Sequence, residues 1–325
     1  MVFRGEITTE TQRTQRLHRE SLRTIEDAIR LNVWITGCSG FLGTRLAMHL
    51  VAEHIPVTSL SRRKSSAATR SVEIDLAQRD APRQIEKLAT ETAPDIVIHA
   101  ASKQPTGGEL ADFVDANVHS SSNLIEGLTQ KPPRLIIYTS THSVYGKQSI
   151  LPVDESCPAG GYLPYGATKR WGEQMLETFQ RYSKIVVLRL PSLYGAGQED
   201  SFIDGLARLA QRDEPIELFS RGLLIRDALH VSDVVKAIDN CIARPPSAAF
   251  SIMNLGCGQS IKTIEWANAL LSVLPSDSEI VPVDREAKYF DLYADITVAQ
   301  ERIGFAPTSL ADSMKVYADE LSTRS

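Results

Sequence analysis

The chain has 325 residues, of which 42% are hydrophobic and 23% charged, and 35 basic against 40 acidic side chains leave a net charge of -5. That balance excludes a disordered chain and a nucleic-acid binder relying on a basic face. The apolar runs, such as Ile96-Val97-Ile98 and Leu135-Ile136-Ile137, are strand-sized and far short of the ~20 residues of a membrane helix, so neither nucleic acid nor membrane is an expected partner.

Residues 1–30 read as an N-terminal extension. Leu17, Leu22, Ile25 and Ile29 recur at roughly helical spacing, which predicts a partly helical leader, packed on the main domain or a second subunit. A solvated extension is the alternative. From Leu31 the pattern alternates. Strands are predicted at Asn32–Thr36, Val57–Leu60, Val72–Ile74, Asp95–Ala100, Leu135–Thr139 and Ile185–Leu190. Helical periodicity marks Phe41–Glu53, Leu110–Leu128 and Lys169–Tyr182. Short apolar strands alternating with helices predict an α/β fold, a Rossmann-type doubly wound parallel sheet over residues 31–190. Ligands of such sheets bind beyond the carboxyl ends of the strands. After Pro191 the elements shorten, and Pro and Gly cluster at Pro191–Gly197, Pro245-Pro246 and Gly256–Gly258. Residues 191–325 therefore read mainly as a smaller mixed α/β substrate lobe, with some segments returning to the core.

The strand Val33–Thr36 runs into Gly37-Cys38-Ser39-Gly40-Phe41-Leu42-Gly43 and then a helix, a G-x-x-G-x-x-G loop in strand–helix context. Such a loop brings backbone close to a pyrophosphate and aims a helix N-terminus at it. Gly37, Ser39, Gly40, Phe41, Leu42 and Gly43 are thus cofactor candidates, and Cys38 reads as packing. The second strand ends Ser59-Leu60-Ser61-Arg62-Arg63-Lys64, with no carboxylate for a ribose 2′-hydroxyl. Ser61, Arg62 and Arg63 suit a 2′-phosphate, so NADP is favoured over NAD. Asp75 can take the adenine amino group.

Tyr165-Gly166-Ala167-Thr168-Lys169 is Y-x-x-x-K, which on a helix puts both side chains on one face. The lysine ammonium can lower the tyrosine pKa and hold the nicotinamide ribose, and the tyrosine can exchange a proton with an alcohol or ketone. Five of the seven histidines, His18, His49, His54, His119 and His230, are scattered, so no metal site is expected. His99 reads as packing near the cofactor, and Trp171 and Met175 as core packing. The four cysteines Cys38, Cys157, Cys241 and Cys257 lie far apart, and the N-terminus has no apolar signal core. A reducing cytoplasm is the expected location.

With these motifs the chain resembles the extended short-chain dehydrogenase/reductase family, in its nucleotide-sugar epimerase, dehydratase and reductase branch. The likeness runs from about Val33 to Gly304. It rests on the glycine loop, His99-Ala100-Ala101, Asn117-Val118 with Asn123-Leu124, and Pro164 to Lys169 with Glu173. Leu188 to Gly195, Arg226 to Val234 and Asn254-Leu255-Gly256 extend it. The resemblance implies Thr141, Tyr165 and Lys169 as catalytic residues, Ser140 being a lesser candidate beside Thr141. It implies further cofactor contacts at Leu76, Ala100, Ala101 and Asn117. Arg226 matches the arginine that contacts the substrate diphosphate, with a surface ion pair to Asp227 or Asp233 as the alternative. Helices corresponding to Leu110–Leu128 and Lys169–Tyr182 imply a homodimer.

The departures matter. Family 4,6-dehydratases carry Asp-Glu after the catalytic threonine; here His142-Ser143 stand there, which argues against dehydration. His142 is either a second acid/base or a polar wall residue. Ser192 replaces the usual asparagine before Tyr194, and Arg285 with Lys288 partly replaces the C-terminal nucleotide clamp. The expected activity is hydride transfer on a nucleotide-activated sugar, first as an NADPH-dependent ketoreductase, second as an NAD-dependent 4-epimerase with the same residues. A non-catalytic dinucleotide sensor is the reading from another class, opposed by the intact Thr141/Tyr165/Lys169 set.

Overall fold

Strands that are apolar on both faces must be covered on both, and that requirement organises the molecule. The computed structural model describes residues 31–105, 107–161 and 163–323, so the expected leader lies outside them. The strands are β1 (Val33–Thr36), β2 (Val57–Ser61), β3 (Arg70–Glu73), β4 (Ile96–His99), β5 (Leu135–Thr141), β6 (Lys184–Leu190), β7 (Ser192–Tyr194), β8 (Ile216–Leu218), β9 (Ala228–His230), β10 (Phe250–Asn254) and β11 (Ile280–Pro282). Seven form a parallel sheet in the order β10-β6-β5-β4-β1-β2-β3. The helices are α1 (Phe41–Ala52), α2 (Ala81–Thr92), α3 (Leu110–Phe113), α4 (Ser120–Leu128), α5 (Pro164–Thr178), α6 (Phe202–Ala210), α7 (Val231–Ala243), α8 (Thr263–Leu271), α9 (Thr297–Ile303) and α10 (Leu310–Ser322).

Alternation along β1 sends Val33 and Ile35 to the face covered by Leu46 and Leu50 of α1, Val234 and Ile238 of α7, and Ile303 of α9. Trp34 points to the other face, against Ile85 and Leu88 of α2, Leu124 of α4 and Leu176 of α5. A separate core around Tyr194, Ile203, Trp266, Met314 and Tyr317 holds the second lobe, which contains two small parallel sheets, β7–β9 and β8–β11. The elements α7, β10 and α9 follow the second lobe's first strands in sequence yet pack on the large sheet.

Three local details differ from the sequence expectation. The helix expected over Leu110–Leu128 is interrupted by a π-turn at Val114–His119. Helix α5 starts at Pro164, because proline has no N–H to lose in a first turn, and so Tyr165 lies inside it. Trp171 is not core packing: it is 46% exposed, because Gly172, Glu173 and Leu176 occupy the sheet-facing side of α5. All four cysteines are free. No helix among the described residues is long and apolar enough to cross a membrane.

Candidate active site

A cleft of about 1220 Å³ opens beyond the carboxyl ends of β1, β2, β4, β5 and β6, between the sheet and the second lobe. It exceeds the usual range for one small ligand, about 300–1,000 Å³. One end is the glycine loop. Gly37 takes φ +69°, and a Cβ there would come within 2.7 Å of Ala101 Cα. Only glycine permits this approach of the β1 and β4 loops. Gly40 caps α1 without any side-chain bond, and Gly40, Phe41, Leu42 and Gly43 face the cleft with Gly37 and Ser39. The first-turn amides of α1 are thus left for an anion.

Around this loop the cleft meets Ser61, Arg62, Arg63, Asp75, Leu76, Ala100 and Ala101. Arg62 and Arg63 are exposed, and Ser61 is buried against Ser59 at 2.8 Å between hydroxyls. Asp75 accepts from its own turn, the Ala77 amide, at 3.1 Å. Asn123, singled out only by family likeness, donates to the Leu76 and Gln78 carbonyls at 2.8 and 3.0 Å and so holds that turn.

Beneath the loop, the Thr36 hydroxyl accepts from the Ala101 amide at 3.1 Å and lies 2.7 Å from His99 Nδ1. Its proton is then free to go to Nδ1, leaving Nε2–H for Ser121 Oγ at 3.0 Å. Burial lowers the His99 pKa to about 3, helped by the Lys169 charge, so the ring is a neutral strut. Asn117, expected among the cofactor contacts, is not one of the residues facing the open cleft. It is buried in the π-turn, accepts from the Lys103 amide at 2.8 Å and donates to Thr168 at 3.0 Å, clamping α5 to the loop after β4.

The middle of the cleft holds Thr141, Ser140, Tyr165 and His142. Thr141 ends β5 and accepts from the Ser143 amide at 3.1 Å, so the hydroxyl is fixed at the strand end. Thr141 and Ser102 lie close enough to the Tyr165 hydroxyl to favour its ionisation, but burial outweighs them and pushes the pKa up to about 12. Lys169 does not line the cleft. It is 1% exposed, with Nζ 4.1 Å from the Tyr138 ring centroid, and burial lowers its pKa to about 7 against an opposing pull from Glu173. The lowering of the Tyr165 pKa expected from Lys169 is absent from this state.

His142 is buried, with Nδ1 4.0 Å from Asp227 Oδ2. Burial takes its pKa to about 3, the Leu255 and Arg189 backbones opposing, while burial pushes Asp227 up to about 6. A neutral wall residue is the state these shifts produce.

At the far end Ser192 and Arg226 line the cleft. Arg226 is held between two aromatic faces, its guanidinium carbon 4.9 Å from the Phe202 centroid and 4.5 Å from that of Tyr289. No carboxylate pairs with it among the described residues, and burial lowers its pKa. The ion-pair alternative with Asp227 or Asp233 is therefore not what forms. Asp227 turns away to accept the Cys257 and Ala294 amides at 2.9 and 3.2 Å, and Asp233 accepts from Thr308. Phe202 and Tyr289 escaped the sequence reading because nothing local marks them; they meet only through the second lobe. Arg285, expected among the substrate contacts, is exposed and lies over Phe219 at 5.3 Å, outside the cleft lining.

The donor set fits a dinucleotide: free helix-start amides for a pyrophosphate, a carboxylate turn at Asp75, and room beside Tyr165 for a second ligand.

Residues 33–256 match the model of the NAD dependent epimerase/dehydratase family. A putative UDP-glucose 4-epimerase of Methanocaldococcus jannaschii is 27% identical, the match covering 85% of this chain and 93% of that protein. A dTDP-glucose 4,6-dehydratase of Streptomyces griseus is 30% identical over 68% of this chain and 69% of its own. Among solved structures, the UDP-glucose 4-epimerase of Thermotoga maritima with UDP-glucose superposes at a TM-score of 0.81, with 24% identity, covering 90% of this chain and 99% of that one. The UDP-glucuronic acid 4-epimerase of Bacillus cereus in complex with NAD gives 0.77, with 22% identity, covering 90% and 99%.

Proposed function

The chain belongs to the NAD dependent epimerase/dehydratase family, and we propose that within it the protein is a nucleotide-sugar 4-epimerase working with NAD. The observation that carries the reading is the layout of one cleft. Thr141 and Tyr165 converge at its centre, phosphate-binding amides open at one end, and an unpaired guanidinium stands at the other. The names of the relatives support epimerisation better than the net ketoreductase reading, and the neighbour complexed with NAD supports NAD over NADP. His142-Ser143, in place of a carboxylate pair, weighs against dehydration.

NAD, when bound, would supply a hydride acceptor and a positive charge. The chain's own residues do the rest. Tyr165, deprotonated in the loaded enzyme against the burial that otherwise raises its pKa, would take the proton of the sugar C4 hydroxyl and later return it. Thr141 holds the same oxygen by hydrogen bond. Lys169, one turn along α5 from Tyr165, would supply the positive charge that favours the phenolate once the cofactor is bound. Arg226 grips the diphosphate while the keto sugar turns to present its other face. Its two aromatic neighbours fix the orientation of the planar guanidinium and so of its N–H fork. UDP-sugars are the first substrates to try.

The NADPH-dependent ketoreductase stays as the second reading for one reason: Arg62 and Arg63 stand exposed at the end of β2, where no acid faces the 2′ position. A homodimer is also proposed, supported by Leu110, Leu163, Trp171 and Tyr182, large apolar side chains left exposed at or beside the helices expected to pair. Purified protein incubated with UDP-hexoses and no added cofactor tests the function. Interconversion of the C4 epimers supports it, and turnover that consumes NADPH and a keto sugar would replace it with the second reading.

A further inference from the structure

Lys169 poses a physical problem. Its ammonium is buried, yet no carboxylate lies within 4 Å of it among the described residues. Glu173, one turn along α5, is already engaged by Arg189, Arg170 and Ser140. A desolvated, unpaired ammonium should shed its proton or move to solvent. It has not moved to solvent: Nζ sits 4.1 Å from the centre of the Tyr138 ring, on the electron-rich face that favours its charged form.

Tyr138 is itself locked. Its hydroxyl donates to the Lys169 carbonyl at 3.4 Å, and its ring stacks on His99 with centroids 5.3 Å apart. Gly172 leaves room for the hydroxyl, since a Cβ there would lie 2.3 Å from it. The ring is therefore fixed to both the strand that carries Thr141 and the helix that carries Tyr165 and Lys169.

We propose that Tyr138 is the positioning residue for Lys169: its ring is the seat that holds the ammonium under the cleft and keeps it charged there. The consequence rests on the epimerase reading above, in which Lys169 works in its charged form. The groups facing Lys169 are Tyr138 from β5, His99 from β4 and Glu173 from α5, with Arg189 of β6 behind Glu173. Of these, His99 is held neutral by burial and Glu173 is held by arginines, so the ring is the close partner that remains. Burial already lowers the Lys169 pKa to about 7. Removing the ring's attraction lowers it further, so charge and activity are lost at a lower pH.

The test replaces Tyr138 with phenylalanine, with a series of increasingly fluorinated phenylalanines, and with methionine. Fluorine withdraws charge from the ring face while keeping its shape, and methionine keeps bulk without a ring. Two readouts are taken: the Lys169 Cε chemical shift against pH in cofactor-free, carbon-13-lysine-labelled protein, and kcat and KM against pH with a UDP-hexose. The expected result is a titration midpoint near the parent's for Y138F, falling stepwise with fluorination, by about one pH unit at the end of the series. The alkaline limb of kcat follows it, while KM for the sugar nucleotide changes little. A midpoint indifferent to fluorination would overturn the proposal, as would equal damage by Y138F and the fluorinated series. Should Y138M fail to fold, the fluorinated series decides, because it preserves packing. The titration needs no turnover, so an enzyme inactive on every sugar would sink the epimerase reading while leaving the seat of Lys169 separately measured.

Discussion

Glu173 and Arg189 meet as a two-point ion pair inside the protein, Nη2 to Oε2 at 2.8 Å and Nε to Oε1 at 3.1 Å. Ser140 adds a hydrogen bond to the same carboxylate at 2.5 Å, and Arg170 a second guanidinium at 2.7 Å. Arg189 also lies over the Tyr145 ring at 4.8 Å, and Tyr145 donates to Asn254 at 2.7 Å. The network joins α5, β5, β6 and β10 directly behind Thr141. Burial alone would push the Glu173 carboxyl up, but the bonds from Arg189 outweigh it and hold it below the usual range.

Breaking that pair leaves a charge buried without its partner. Glu173→Leu or Arg189→Met is expected to cost about 3–5 kcal/mol, and the two changes together to recover much of it. Urea unfolding of the two single variants and the double variant measures this. Equal losses that simply add would show that the two side chains do not act as a pair.

Acid stability has a readable sign. Burial holds His99 and His142 at about 3, against 6.5 for a free imidazole. Below pH 6.5 the unfolded chain takes up protons that the folded one refuses. Stability is then full above pH 6.5 and declines as pH falls towards 3. Asp227, raised to about 6 from 3.8, acts the other way: the folded state keeps a proton the unfolded state gives up, so its contribution falls as pH rises through that window. His142→Phe is expected to flatten the acid decline relative to the parent. Denaturant midpoints from pH 4 to 8 check it, and an unchanged difference between pH 7 and 5 would contradict the buried neutral state.

Arg226 is expected to act on the nucleotide sugar and not on the cofactor. Arg226→Met, which keeps the bulk between Phe202 and Tyr289, should raise KM about tenfold to a hundredfold through lost charged hydrogen bonds. NAD binding, followed by fluorescence, should stay at the parent value. Equal loss of both affinities would mean that the side chain supports the whole cleft.

Tyr165→Phe removes the group that moves the proton. Turnover should fall at least a hundredfold, with nucleotide-sugar binding preserved, as read by calorimetry. A variant that keeps parent turnover would transfer the proton chemistry to another residue.

Much of the cleft was legible because its signals are local. The glycine loop and Y-x-x-x-K each lie within one strand–turn–helix or one helical turn, and spacing alone puts their groups on one side. What was not legible depends on distant contacts. Asn117 carries a family-like position but spends both amide ends on Lys103 and Thr168. Arg285 precedes Asp295 in a family-like stretch but its side chain lies on Phe219. The aromatic plates of Arg226 come from Phe202 and Tyr289, whose meeting requires the folded second lobe. Trp171 has core composition on a helix, yet Gly172 and Glu173 take the inward positions because Tyr138 and Arg189 demand them.

In the proposed reaction the hydride leaves the sugar and returns to it, with no net redox change. The most direct measurement denatures the protein as purified, identifies any dinucleotide released by mass spectrometry, and follows UDP-glucose and UDP-galactose interconversion without added cofactor. NAD in the released fraction and formation of the C4 epimer at constant cofactor redox state are expected. Empty protein that binds NADPH far above NADH, and that changes a sugar only while oxidising NADPH, would contradict that reaction.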